Sequence, residues 1–278
     1  ISAYEVPADE DDEEGTAESQ YLFADTAVGR LRYAQCGADG PVLILVHGFG
    51  GDLDNWLFNI DALAAGARVY ALDLPGHGQS EKVIGDPSLG GLAGALQAFM
   101  HTIGVDRAHL AGHSMGAAVV ARLACDAPGQ VESLTLISAA GLGPEINADY
   151  INGFVDATTR RELKPALMNL FADSNLVNRS LVDDVLKYKR IDGVDDALRQ
   201  LASGLFADGI QQNLLAPEIT DLSLDTLVIW GREDKVIPAS QAHVIGGARV
   251  EIINDAGHMV QMEQATGVNK LILDHISA

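Results

Sequence analysis

No apolar run in this chain of 278 residues reaches the roughly eighteen residues that a membrane-spanning helix needs. The sequence also lacks the basic-then-apolar leader that is typical of a secreted protein. The first absence argues against a membrane-spanning helix. The chain opens with Ile1 rather than Met, and we therefore expect a fragment or a processed chain.

Cysteine is scarce, since only Cys36 and Cys125 occur, each in an apolar context without metal-ligand spacing. This usage favours two reduced, partly buried thiols over a disulfide or a metal site. It predicts a cytoplasmic protein without a bound metal.

Basic residues are also few, with 18 Lys and Arg against 39 Asp and Glu, for a net charge of −21. Nucleic acids and anionic membrane surfaces are bound through clustered Lys and Arg, so neither partner is expected. No cluster of basic residues stands out in the sequence. Residues 1–20 contain eight acids and no Lys or Arg, and we expect them to form a disordered acidic linker or tail.

The length and the 47% hydrophobic content suit one large α/β domain or a domain plus an insertion. Short apolar strands alternate with helical patterns, which indicates a mostly parallel, doubly wound sheet. From about 142 to 217 only amphipathic helical patterns appear, and we expect a helical cap (lid) there. The predicted core is therefore 21–141 and 218–278. The strands are expected at 42–46, 69–72, 108–111, 134–138, 226–230 and 250–253 after a hairpin at 21–34.

The sequence Gly112-His113-Ser114-Met115-Gly116 lies between a short buried strand and an Ala- and Val-rich helical run. G-x-S-x-G in that context is the pattern of a nucleophile elbow, a tight turn that admits only small residues at its flanks. The turn holds the serine in a strained conformation with its hydroxyl above the strand ends. Ser114 is therefore the predicted nucleophile.

A serine hydroxyl needs a neighbouring base, and that base needs a carboxylate to hold its tautomer. His258 follows the last strand in a Gly-flanked loop and is the predicted base. Asp234 lies just past the strand 226–230 and is the favoured acid. The alternatives for the acid are Glu233, Asp221, Asp225 and Asp255.

The loop after strand 42–46 reads His47-Gly48-Phe49-Gly50-Gly51 and lacks the Lys-Ser or Lys-Thr of a phosphate-binding loop. We predict instead that the backbone N–H groups of Phe49 and Met115 form an oxyanion hole. The remaining structural or pocket candidates are His47, Gly48, Gly50, Trp56, Gly112 and Gly116.

Five motifs together resemble the α/β-hydrolase superfamily over about residues 21–278. They are His47-Gly48-Phe49-Gly50, Asp73-Leu74-Pro75-Gly76-His77-Gly78-Gln79-Ser80, the elbow, Gly231-Arg232-Glu233-Asp234 and Ala256-Gly257-His258. The resemblance implies an α/β-hydrolase fold, and it fits the chain order Ser, Asp, His.

A narrower likeness is to the dihydrolipoamide acetyltransferase components of bacterial acetoin dehydrogenase complexes. It rests on 46–59, Ser138-Ala139-Ala140-Gly141-Leu142-Gly143, Leu186-Lys187-Tyr188-Lys189-Arg190 and 256–263. Such proteins join a lipoyl domain, through a linker, to an α/β-hydrolase-type domain. The likeness implies acetyl transfer from a dihydrolipoyl thioester to coenzyme A in acetoin catabolism, through an acyl-Ser114 intermediate. The lipoyl group and coenzyme A would be substrates, and a lipoyl domain and dehydrogenase subunits would be partners.

Two alternatives remain open at this point, because one fold supports many chemistries. One is an esterase, thioesterase or carbon–carbon bond hydrolase that acts on a small-molecule substrate. The other is a non-catalytic scaffold domain of a dehydrogenase complex. The chain also departs from ordinary lipoyl acyltransferases, because it lacks their signature segment His-x-x-x-Asp-Gly.

Overall fold

The computed structural model describes residues 20–277. The predicted acidic linker at 1–20 lies outside the described residues, apart from Gln20. Among residues 20–277, no helix combines the length and the apolar character that a membrane crossing requires.

Eight strands form one sheet in the order β1-β2-β4-β3-β5-β6-β7-β8. The first two pairings, β1 with β2 and β2 with β4, are antiparallel, and the other five are parallel. The predicted mostly parallel α/β fold is therefore confirmed. The strands are β1 (Gln20–Thr26), β2 (Gly29–Cys36), β3 (Val42–Val46), β4 (Arg68–Leu72), β5 (Ala108–His113), β6 (Val131–Ile137), β7 (Thr226–Gly231) and β8 (Arg249–Ile253).

Helices cover both faces of the sheet and bury it between two apolar clusters. In β3, Ile44 and Val46 belong to one cluster, whereas Leu43 and Leu45 belong to the other. A strand buried on both faces has to be apolar at every position, which explains the unbroken run at 42–46. The helices are α1 (Ile60–Ala64), α2 (Leu89–Thr102), α3 (Met115–Asp126), α4 (Ala148–Asp156), α5 (Arg160–Leu167), α6 (Arg179–Lys189), α7 (Val194–Leu205), α8 (Ala216–Asp221), α9 (Val260–Glu263) and α10 (Ala265–Ile276).

The segment 52–65, between β3 and β4, does not form one continuous helix. It is divided into a 3-10 turn, Leu53–Trp56, and the short α1. The turn is fixed by tertiary hydrogen bonding, since Leu53 N–H donates to the buried carboxylate of Asp73 at 2.8 Å. Side chains from distant segments thus set the boundary, and local periodicity does not reveal it.

The segment between β6 and β7 contains α4 to α8 and, within the described residues, no ladder strand. Its only strand-like pairing there is an isolated bridge between Glu145 and Ile210. α4 contacts α5 and α7, and α6 contacts α5 and α7. These helices therefore pack on one another, and residues of α4, α5 and α6 face the carboxyl ends of the central strands, where the site described next is found.

Candidate active site

The turn between β5 and α3 holds Ser114 at φ 53° and ψ −119°, a conformation that side-chain-bearing residues rarely adopt. Backbone hydrogen bonds hold it there. Ser114 N–H donates to Ile137 O at 2.9 Å, and Ser114 O accepts from Ala117 and Ala140 at 3.0 and 3.1 Å. The turn is thus tied to β6 as well as to α3, and this over-determination can maintain the strain.

Glycines next to this turn are required by close backbone approach. A Cβ on Gly112 would lie 2.3 Å from the carbonyl oxygen of Gly116, and one on Gly116 would lie 2.3 Å from that of Val46. A Cβ on Gly48 would lie 3.0 Å from Cβ of Ser114. Any larger residue at the first two positions would force β3, β5 and α3 apart.

His258 and Asp234 form a buried pair at the ends of the last two strands. Nδ1 of His258 lies 2.8 Å from Oδ2 of Asp234, and their side chains are 2% and 0% exposed. The other oxygen of Asp234 accepts from Val236 and Ile237 N–H at 2.8 and 3.0 Å. The carboxylate is therefore fixed by two amides while its other oxygen holds the orientation of the imidazole.

The alternative acids are engaged elsewhere. Glu233 accepts from Ala256 N–H at 3.0 Å, and Asp225 lies 3.7 Å from Nδ1 of His275. Asp221 and Asp255 are exposed, and the structure gives neither a hydrogen bond to His258. Of the five acids considered, Asp234 is the one that contacts the imidazole.

The glycine-rich loop after β3 is held by two histidines. His47 lies with Nδ1 2.8 Å from Gly48 O and with Nε2 accepting from Leu74 N–H at 3.0 Å. Nε2 of His77 accepts from Gly50 N–H at 3.2 Å. Burial lowers the pKa of His77 well below its usual value, so its ring stays neutral and can accept this bond.

The loop after β3 and the first residue of α3 each contribute a backbone amide that is unpaired in residues 20–277. In the described part of the chain, the N–H groups of Phe49 and Met115 donate to no other backbone or side-chain group. Unpaired backbone amides of this kind can stabilise an oxyanion when they point at it.

Ser114 and His258 open on one cavity of about 100 Å³. Its remaining walls are mostly apolar, so it can hold a short acyl group and exclude water. The lining comes from the loop after β3 (Gly48, Phe49, Gly50, Gly51, Asn55), from the elbow (His113), from α4 to α6 and their connections (Tyr150, Phe154, Leu167, Leu170, Phe171, Leu181, Val185) and from the segment after β8 (Met259, Met262).

Trp56, which we predicted to be a structural or pocket residue, is fully buried in the core and does not line this cavity.

Phe154 lines the cavity, although no sequence pattern indicated this role. It packs edge-on against Phe49 at a centroid distance of 6.0 Å, and a Cβ on Gly50 would lie 2.4 Å from its ring. Its role depends on how α4 packs over the loop, which only the folded chain reveals.

Glu263 also escaped the sequence reasoning. Its two oxygens accept from Ala172 N–H at 2.8 Å and Gly257 N–H at 2.7 Å. Burial raises the pKa of this carboxyl group, whereas both amide bonds lower it. Glu263 thereby fastens the loop of His258 to the segment after α5.

No group of three or more His, Cys, Asp or Glu in residues 20–277 is arranged to hold a metal ion. Cys36 and Cys125 are not joined by a disulfide.

A model of the α/β-hydrolase fold family matches residues 41–265. A meta-cleavage product hydrolase of Pseudomonas fluorescens superposes with a TM-score of 0.83 at 24% identity, over 92% of this chain and 97% of that one. At that identity the likeness concerns the fold alone. The fold inferred from the motifs is confirmed.

Two relatives share a more specific name, dihydrolipoyllysine-residue acetyltransferase component of the acetoin cleaving system. The chain is 47% identical to that of Cupriavidus necator over 277 residues, which cover 99% of this chain and 74% of the relative. It is 50% identical to that of Pseudomonas putida over 244 residues, which cover 87% of this chain and 65% of the relative. The narrower resemblance is therefore also confirmed, while each relative extends beyond the match.

Proposed function

This chain belongs to the α/β-hydrolase family. We propose that it is a serine-dependent acyltransferase of the dihydrolipoamide acetyltransferase type. It moves an acetyl group from an acetyl-dihydrolipoyl thioester to coenzyme A. The observation that carries the proposal is the buried His258–Asp234 pair at 2.8 Å, beside a strained serine in a small apolar cavity. The name shared by the two relatives supports the choice of substrates.

In the first half-reaction, Oγ of Ser114 attacks the thioester carbonyl carbon while Nε2 of His258 takes the hydroxyl proton. The N–H groups of Phe49 and Met115 stabilise the oxyanion. The carbon–sulfur bond then breaks, and the departing dihydrolipoyl sulfur recovers the proton from His258. Asp234 holds the imidazole in the required tautomer and stabilises its transient charge.

In the second half-reaction, the thiol of coenzyme A gives its proton to His258 and attacks the acetyl-Ser114 ester. The ester bond breaks, and Oγ of Ser114 takes the proton back. One thioester is exchanged for another, so no oxidant or metal is required. Water in place of the thiol would release acetate, and the apolar cavity disfavours that side reaction.

We further propose that residues 142–217 act as a cap on the core formed by 21–141 and 218–278. Side chains of α4, α5 and α6 wall the cavity. In this role the cap would set the size of the acyl group and shield the acyl-enzyme. The partners would be a lipoyl domain, which delivers the acetyl group, and the dehydrogenase subunits that load it.

The test supplies acetyl-dihydrolipoamide with and without coenzyme A to wild type and to Ser114→Ala. Acetyl-CoA should form only with wild type, and the mutant should lose at least about 10³-fold in rate. Ser138→Ala is the matched control, because Ser138 is also a buried serine with positive φ (44°) at a strand end but does not line the cavity. It should keep wild-type activity.

The three other outcomes separate the alternatives. Free acetate at a rate indifferent to coenzyme A would refute the acyltransferase and favour an esterase, thioesterase or carbon–carbon hydrolase. An intact thioester with both proteins would favour another substrate or a scaffold domain. Activity that survives in Ser114→Ala would refute Ser114 as the nucleophile.

A further inference from the structure

A basic groove of about 480 Å³ lies on the surface where the start of α5 meets the end of α6. Its walls carry Arg160 and Arg161 from α5, and Lys187 and Arg190 from the end of α6. All four side chains are exposed. Among the described residues that form its walls, the only acid is Asp183.

The groove is positively charged, whereas the chain as a whole is negatively charged. Residues 160–190 contain seven of the 18 Lys and Arg of the protein against four Asp and Glu, although the net charge of the whole is −21. The basic positions fall in two groups that are separated along the sequence, so folding is needed to bring them together. A positive concavity on an acidic protein concentrates anions locally.

Two of the four cations have no acidic partner in residues 20–277. Arg160 pairs with Asp183, and Lys187 pairs with Asp184 at 2.9 Å. Neither Arg161 nor Arg190 forms a salt bridge within the described chain.

The nearby acid of α5 is occupied as well. One carboxylate oxygen of Glu162 accepts from the N–H groups of Thr158 and Thr159 at 3.0 and 3.1 Å. It is thus engaged as a helix cap. The guanidinium groups of Arg161 and Arg190 are left available for an external anion.

The helices of the groove also wall the catalytic cavity. Leu167 of α5 and Leu181 and Val185 of α6 line the cavity that contains Ser114. From Leu167 back to Arg160 is seven residues, or about 10 Å along a helix. An extended ligand that follows these two helices could place one end in the groove and the other at the serine.

We propose that the basic groove binds the phosphate groups of coenzyme A, the acceptor in the reaction proposed above, on which this inference rests. Guanidinium groups form paired, charge-assisted hydrogen bonds with phosphate oxygens, so Arg161 and Arg190 are the principal ligands. Coenzyme A carries its phosphates at the end opposite its thiol. Binding them in the groove leaves the thiol free to enter the cavity between α5, α6 and the elbow.

The test replaces the two unpaired arginines in Arg161→Gln/Arg190→Gln and measures acetyl transfer to coenzyme A and to pantetheine, which has the same thiol arm without the nucleotide. We expect KM for coenzyme A to rise at least about tenfold. KM for pantetheine and for acetyl-dihydrolipoamide should stay within about twofold of the wild-type values. Raising the salt concentration should weaken the use of coenzyme A by wild type and leave pantetheine unaffected.

The control Arg107→Gln/Lys270→Gln removes the same charge from exposed residues on other elements, which pair with Glu132 and Asp274. It should behave as wild type toward both acceptors. A rise in KM for coenzyme A in this control would indicate a general charge effect and would overturn the groove. An unchanged KM for coenzyme A in the groove variant would also refute the groove as the binding site, and so would an equal rise in KM for coenzyme A and pantetheine.

Binding of adenosine 3′,5′-bisphosphate and of inorganic phosphate, measured by calorimetry, separates this inference from the proposed function. Wild type should bind the bisphosphate, and the groove variant should lose at least about tenfold in affinity, even if no acetyl transfer occurs. Failure of acetyl transfer with this binding intact would refute the reaction but support the groove. Equal affinity of wild type and the groove variant for the bisphosphate would refute the groove as the binding site, whether or not acetyl transfer occurs. Equal affinity of wild type for phosphate and for the bisphosphate would show a general anion site and refute a site for coenzyme A.

Discussion

Replacing Asp234 by Asn changes one atom of the proposed triad while it preserves the size of the side chain. The carboxylate accepts three N–H groups, from His258, Val236 and Ile237, at 2.8, 2.8 and 3.0 Å. The amide oxygen of Asn can still accept from the two backbone N–H groups. Its NH₂ group would then face Nδ1 of His258.

Because an NH₂ group can only donate, Nδ1 of the neutral ring must become the acceptor and the proton must move to Nε2. Nε2 then can no longer take the proton of Ser114. In serine triads the wrong tautomer costs about 10⁴-fold in kcat, and we expect a loss of that order here. Two of the three hydrogen bonds remain, so the loss of folding stability should not exceed about 1–3 kcal/mol.

The assay is acetyl transfer to coenzyme A under saturating donor, combined with thermal unfolding to show that the variant is folded. Glu233→Gln is the matched control, since this neighbouring carboxylate accepts only from Ala256 N–H among the described residues and its amide can do the same. It should stay within a few-fold of wild type. A folded Asp234→Asn protein with activity within about tenfold of wild type would refute the assignment of Asp234.

Two further predictions concern the cavity wall and pH. Phe154→Ala should destabilise the fold by about 3–5 kcal/mol and raise the preference for butyryl over acetyl thioesters by about tenfold, because Phe154 is 2% exposed and lines the cavity. Phe99→Ala, equally buried but outside the cavity, should destabilise the protein without changing that preference, and a shift in it would contradict this account. Burial lowers the pKa of both His77 and His113 well below 6.5. As the pH falls below about 6.5, these histidines become protonated in the unfolded chain but stay neutral in the folded one. The free energy of unfolding should therefore fall, by up to about 1.4 kcal/mol per pH unit for each histidine. Denaturant titrations at pH 7 and 5.5 should show a smaller fall for His113→Asn than for wild type; an equal fall would show that His113 does not contribute.

The elements that sequence reasoning located are those whose pattern is dictated by local physics. A strand buried on both faces must be apolar throughout, so β3 was visible as Val42 to Val46. The elbow was visible because only glycine fits where an added Cβ would lie 2.3 Å from a backbone oxygen, as at Gly112 and Gly116. The positions of His258 and Asp234 followed from chain order, since parallel strands bring their carboxyl ends to one edge.

The sequence could not reveal features that depend on contacts between distant segments. Phe154 lines the cavity because α4 packs over the loop of Phe49, and Glu263 fixes the loop of His258 because it reaches the amide of Ala172. An aromatic residue on an amphipathic helix, or one Glu near a chain end, has no pattern that distinguishes these roles.

The basic groove is the clearest example of a feature that the sequence alone could not reveal. In the sequence, Arg160 and Arg161 are far from Arg190, within a strongly acidic chain, and neither group by itself suggests an anion site. The packing of α5 on α6 joins them, while Asp183, Asp184 and Glu162 each bind another group. Which arginines remain unpaired is therefore determined by the folded structure. The charge that this groove offers to a ligand is positive, although the net charge of the whole chain is negative. Composition argues against extended polyanions as partners, but it carries no information about a small ligand that needs only two arginines.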